Sequence, residues 1–173
     1  MFQTIRRTGR HRDEHGAALV EFALILPVLM CLLLGMVTGG MAYNRKISMT
    51  NAVREGSRFG ATLTPATFNT AGWNAAADTV RTRVLDIAAG DLAGAEICVQ
   101  YIQKGGSPAV KGEALTPTCT AGVSPNPLTS ASVGDCVVSV WAQRKSELQA
   151  FFFTWNVDLK ARAVARYERT TPC

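Results

Sequence analysis

Residues 16–43 read GAALVEFALILPVLMCLLLGMVTGGMAY, and the rest of the chain is organised around this stretch. From Phe22 to Tyr43 there is no charge in 22 residues. A helix of that length rises about 33 Å, enough to cross a hydrocarbon layer of about 30 Å. The nearest acid, Glu21, sits just before the run, where burying an unpaired carboxylate costs roughly 2.5 kcal/mol or more. A charge in that place calls for a partner.

On the N-terminal side, residues 1–16 (MFQTIRRTGRHRDEHG) form a basic leader, expected to be unfolded, with Arg6, Arg7, Arg10 and Arg12 against Asp13 and Glu14. A secretory signal carries an apolar core of about 7–15 residues and a small-residue cleavage site after it. Here the apolar run is longer, and Gly39-Gly40-Met41-Ala42 is a poor site. The positive-inside rule gives no orientation, because Arg45, Lys46, Arg54 and Arg58 after the span balance the four arginines before it.

On the C-terminal side, no proline interrupts the chain between Pro27 and Pro65. Ile47, Met49, Ala52, Val53 and Phe59 recur near helical spacing between charged residues, so the apolar helix is expected to continue as a stem to about Leu63. Pro65 sets a turn after it. A second helix is predicted over residues 71–89, with Trp73, Ala77, Val80, Val84 and Ile87 on one face and Gly90 as its stop.

The remainder reads as β-rich. Residues 95–103 (AEICVQYIQ) and 135–144 (DCVVSVWAQR) have strand composition. Residues 156–168 (NVDLKARAVARYE) give the clearest period-2 pattern in the chain, with Val157, Leu159, Ala161, Ala163, Ala165 and Tyr167 alternating with Asp158, Lys160, Arg162, Arg166 and Glu168. Residues 104–134, rich in Pro, Gly, Ser and Thr, are expected to form an irregular loop. Residues 147–155 (ELQAFFFTW) are read as a short link, and two roles are open for its rings: capping the core under the sheet, or an exposed patch for a partner subunit. The fold class is thus α+β, a long N-terminal helical stem carrying a small headgroup of one helix and three to four antiparallel strands. Its divisions are residues 1–16, 17–63 and 64–173.

Five cysteines sort by position. Cys31 lies in the apolar run, whereas Cys98, Cys119, Cys136 and Cys173 follow it as an even set without C-x-x-C spacing. That pattern favours disulfides in an oxidising compartment, with 3 possible connectivities; Cys119 with Cys136 and Cys98 with Cys173 is the preferred one. It places the headgroup outside the cytoplasm and the leader inside.

Chemistry is sparse. Net charge of the 173 residues is +5, too mild to argue for nucleic acid. Both histidines, His11 and His15, precede Ala17, so a chain cut there lacks the commonest general base and metal ligand. There is no G-x-S-x-G and no G-x-x-x-x-G-K-[ST]. No catalytic residue, metal site or cofactor is assigned, and an extracytoplasmic enzyme is the weakest of the functional classes.

A basic leader ending in Gly16, a small Ala17 and an apolar helix whose acid is Glu21 make a prepilin pattern. GAALVEFALILPVLMCLLLGMV resembles the N-terminal motif of the TadE-like minor pilins, or pseudopilins, of tight-adherence pilus systems. NAVREGSRFGA is similar to that family's stem, and LKARAVARYE to its closing strand. The resemblance implies cleavage after Gly16 by a membrane-embedded prepilin peptidase, leaving Ala17 as the N-terminus. It implies that Glu21, at the fifth mature position, pairs with the Ala17 amino group of a neighbouring subunit, and that Pro27 matches a family proline that loosens the helix where helices pack. The implied partners are the membrane, other pilin subunits, the peptidase and, indirectly, an assembly platform with its ATPase. The implied location is the bacterial inner membrane, single-pass with the N-terminus inside, and then a cell-surface pilus. Gly35 and Gly39 have the small-residue spacing of close helix contacts. The alternative reading is a single-pass anchored adhesin or sensor that is never processed or assembled.

Overall fold

The computed structural model describes residues 11–88, 90, 92, 95–106, 110–114, 132–150 and 153–168; of residues 11–15 and 149–150 only the backbone is described. Helix α1 (His11–Thr62) is unbroken over 52 residues and contains Pro27. At 1.5 Å per residue it is roughly 78 Å long. Its described part reaches back to His11, within the leader, where an unfolded segment was expected. The hydroxyls of Thr38 and Thr50 bond back to the carbonyls of Leu34 and Lys46, both at 2.8 Å, so these polar side chains are satisfied within the helix.

Helix α2 (Thr70–Ile87) begins where Asn69, in extended geometry, accepts the amide hydrogen of Gly72 at 2.9 Å. Its buried face carries Trp73, Ala77, Val80 and Val84 as the spacing predicts, with Gly72 and Ala76 added. Ala88 caps its end, and Gly90 follows at φ +89°.

Four strands form one antiparallel sheet: β1 (Glu96–Gln103), β2 (Val110–Ala114), β3 (Cys136–Ala150) and β4 (Phe153–Arg166), in spatial order β2-β1-β3-β4. Two expectations are corrected. Strand β2 lies inside the segment read as irregular loop. It carries Gly112 at its point of contact with α2, where a Cβ would overlap the Trp73 side chain and backbone. The segment read as a link is the outer half of a long hairpin, because Glu147–Ala150 and Phe153–Asn156 continue the β3–β4 pairing, with Leu148 opposite Trp155.

Both helices cover the same face of the sheet, α1 over β3 and β4, α2 over β1 and β2. Between them lies a core of Met49, Val53, Trp73, Val80, Val84, Ile97, Val99, Tyr101, Val138 and Val140. Full burial of each large apolar side chain contributes about 1.5–3 kcal/mol. Trp73, Tyr101 and Tyr167 pack ring to ring, with centroids 4.9–6.3 Å apart.

The headgroup donates hydrogen bonds to carbonyls at the C-terminal end of α1 and the turn after it, where helical donors run out. Tyr101 Oη donates to Gly60 O at 3.0 Å, Glu168 N to Ala61 O at 3.1 Å, and Tyr167 Oη to Leu63 O, in the turn just past the helix, at 3.1 Å. The end of the stem and the end of β4 are thereby fixed together.

Cys98 and Cys136 are each disulfide-bonded, and Cys31 is free. The two are not bonded to each other: Cys98 stands opposite Trp141 and Cys136 opposite Gln103, about 16 Å apart along the strands and on opposite faces. Cys119 and Cys173 lie outside the described residues, and so do the expected pairings of Cys119 with Cys136 and Cys98 with Cys173.

Candidate assembly and membrane interface

Gly16, Ala17, Glu21 and Pro27 all lie on α1, and every residue from Gly16 to Met30 is exposed. The exposed side chains are apolar all round the helix: Leu19 is 70 % exposed, Leu24 72 % and Met36 71 %. A helix apolar on every side has no stable home in water and belongs in lipid or among other helices. This helix is long and apolar enough to cross a membrane.

Glu21 is the one ionisable residue in this exposed section, and among the described residues no cation pairs with it. Ala17 stands one turn before it, so an amino group created at Ala17 and the Glu21 carboxylate would share one face of the helix. Pro27 supplies no amide hydrogen, leaving the Ala23 carbonyl without its helical donor, yet α1 continues through it.

Higher up, one stripe of α1 is covered. Cys31, Thr38 and Gly39 are half-buried, and Ala42, Met49, Ala52, Val53, Gly56 and Gly60 are buried. The stripe runs about 45 Å, close to the length of the β3–β4 hairpin beside it.

Toward the hairpin tip, the contact opens into a groove of about 540 Å³. Thr38, Met41 and Arg45 line it from α1, and Arg144, Lys145, Ser146, Glu147 and Asn156 from the hairpin. Ser146 is 2 % exposed, and its hydroxyl has no hydrogen-bond partner among the described residues.

Beyond the groove, Phe153 and Trp155 stack with centroids 5.7 Å apart and an interplanar angle of 14°. They are 64 % and 55 % exposed, so these two rings do not cap the core under the sheet. They share the face of β4 that carries Leu159 and Ala161 against α1, but stand past the end of the core. Phe151 and Phe152 of the same cluster lie outside the described residues.

The N-terminal residues of this interface are readable as a local motif, whereas the groove is not. Arg144 and Ser146 are more than a hundred positions from Thr38, and only the length of the hairpin brings them together. Among the described residues there is no cluster of three or more His, Cys, Asp or Glu side chains placed to hold a metal ion.

No curated protein and no solved structure matches the chain. Residues 16–58 match the family model described as TadE-like protein, and the segment that carries Gly16, Glu21 and Pro27 is therefore TadE-like, as its motif indicates.

Proposed function

We propose that the protein is a minor pilin or pseudopilin of a tight-adherence, type IV-like pilus. It enters the cytoplasmic membrane through α1 with its headgroup outside, is cut after Gly16 by prepilin peptidase, and passes into a helical bundle driven by an assembly platform and its ATPase. Its role there is to support pilus assembly, adhesion or secretion, and it performs no catalysis.

The observation that carries this reading is Glu21: a carboxylate with no cation partner among the described residues, on an exposed apolar helix within a TadE-like segment, one turn after Ala17. Attraction between the Glu21 carboxylate of one subunit and the Ala17 amino group of the next offsets part of the cost of burying either charge. The disulfide-bonded Cys98 and Cys136 fit an extracytoplasmic headgroup.

Mass spectrometry of the membrane form from peptidase-positive cells tests the reading. A chain beginning at Ala17 is expected. An intact leader in those cells overturns it in favour of an anchored adhesin or sensor.

A further inference from the structure

Measured along α1, the tip of the β3–β4 hairpin falls beside the apolar run. Tyr167 and Glu168 bond to the carbonyls of Leu63 and Ala61 at the top of the stem, and from there β4 and its partner extend back toward the N-terminal half of α1. Asn156 and Glu147, paired across the hairpin, line the groove beside Thr38 and Met41. Phe153 is three positions further out, about 10 Å at 3.3 Å per residue. That distance equals about seven residues of helix, so the tip stands level with α1 near Cys31–Leu34. Cys31 is half-buried where its neighbours in the helix are exposed, as a tip at that level requires.

This placement conflicts with a hydrocarbon layer reaching to Tyr43. Among the described residues strand β4 is an edge of the sheet, with one row of its backbone groups lacking a strand beside it. Glu147, Asn156 and Asp158 on the hairpin are exposed as well. Each unsatisfied backbone group in hydrocarbon costs several kcal/mol. The stacked Phe153 and Trp155, in contrast, are the side chains that a membrane–water boundary accepts. Arg45, Arg144 and Lys145 line the groove further from the tip along the hairpin, about 10–20 Å above them, with Glu147 the single acid in its lining.

We infer that the Phe153–Trp155 tip seats in the boundary between headgroups and acyl chains on the outer face of the membrane. The lipid-crossing stretch then moves down α1 to about residues 16–36, long enough for a layer of about 30 Å. Glu21 falls inside the cytoplasmic side of the layer instead of at its edge. This inference rests on the membrane-inserted state proposed above.

The test uses the full-length protein in phosphatidylethanolamine–phosphatidylglycerol vesicles, with lipids brominated near the top of the acyl chain as one quencher and aqueous iodide as the other. Trp73 and Trp141 are 2 % and 6 % exposed, so the emission lost in Trp155→Phe reports the tip. That component is expected to be quenched by bromolipid and not by iodide, and Phe153→Trp in the Trp155→Phe background is expected to restore it. Quenching by iodide alone overturns the inference. So does shielding from both quenchers, which would place a second copy of the chain over the tip. In either case the protein still floats with the vesicles. A protein that does not float overturns the membrane-inserted state and the inference with it.

Discussion

Tyr101 on β1 donates its phenolic hydrogen to the carbonyl of Gly60, 3.0 Å away in the last turn of α1. The bond joins the middle of the sheet to the top of the stem inside the core, where Tyr101 is fully buried. Burial pushes the phenol well above the usual tyrosine range, and the neighbouring Tyr167 adds to the shift.

Tyr101→Phe is expected to lower headgroup stability by about 1 kcal/mol, because Gly60 O keeps only its bond from Leu63 N at 3.3 Å. The raised value in the folded state means that folding favours the neutral phenol. This contribution is complete below the ordinary tyrosine value near 10 and is lost as pH rises above it toward the folded value. Thermal melts in detergent, followed by near-ultraviolet circular dichroism, should show an alkaline loss of stability above about pH 10 that Tyr101→Phe reduces.

Gly56 and Gly40 should respond oppositely to alanine. A Cβ at Gly56 would overlap Val84 Cγ2 on α2, whereas at Gly40 nothing lies within 4 Å. The stiff, β-branched Val84 has little freedom to move aside. Gly56→Ala is expected to cost about 1–3 kcal/mol before a helix-propensity gain of up to about 1 kcal/mol, for a net loss. Gly40→Ala has only the gain. The same melts distinguish the two signs.

Asn69 holds the start of α2 through Gly72 N and in turn accepts a hydrogen bond from Thr67 Oγ1 at 2.9 Å. Asn69→Ala should lower stability by about 1 kcal/mol, and Asn69→Asp should retain most of it. Urea titration of the two variants in detergent gives the comparison.

Glu21→Ala removes an exposed carboxylate far down the stem from the described headgroup core, so membrane insertion and the headgroup melting temperature are expected to stay unchanged. If the chain is processed and assembled as proposed, incorporation into filaments is expected to fall sharply, because the amino group freed at Ala17 then has no counter-charge. Immunoblots of sheared surface fractions against membranes measure the split; equal incorporation of the variant would sink the assembly role of this residue.

The two helices were legible because their signals are local. Trp73, Val80 and Val84 recur at the helical period and Asn69 caps the first turn, so sequence and structure agree to within one or two residues at each end of α2. The inner half of β4 was equally plain, since Leu159, Ala161 and Ala163 alternate with charged residues. What local pattern could not show depends on distant contacts. Strand β2 is five residues long and contains a glycine, and Gly112 is explained only by Trp73 on α2 pressing against it. The density of rings from Phe151 to Trp155 resembled core, yet cross-strand pairs such as Leu148 with Trp155 draw the described rings out beyond the core. Gly16, Glu21 and Pro27 stood out as a motif of neighbours, while the groove joins residues that meet only once the hairpin lies along α1.

Because α1 runs without a joint from the Glu21 turn to the Tyr101 contact, the acid and the sheet share one rotational setting. Each residue inserted between them turns the headgroup by about 100° around the stem, and the shortest insertion that restores the bearing to within about 20° is about seven residues. In the fibre proposed above, the number of residues between Glu21 and Ala42 would thus act as a phase, fixing which way the sheet looks when the acid meets its neighbour.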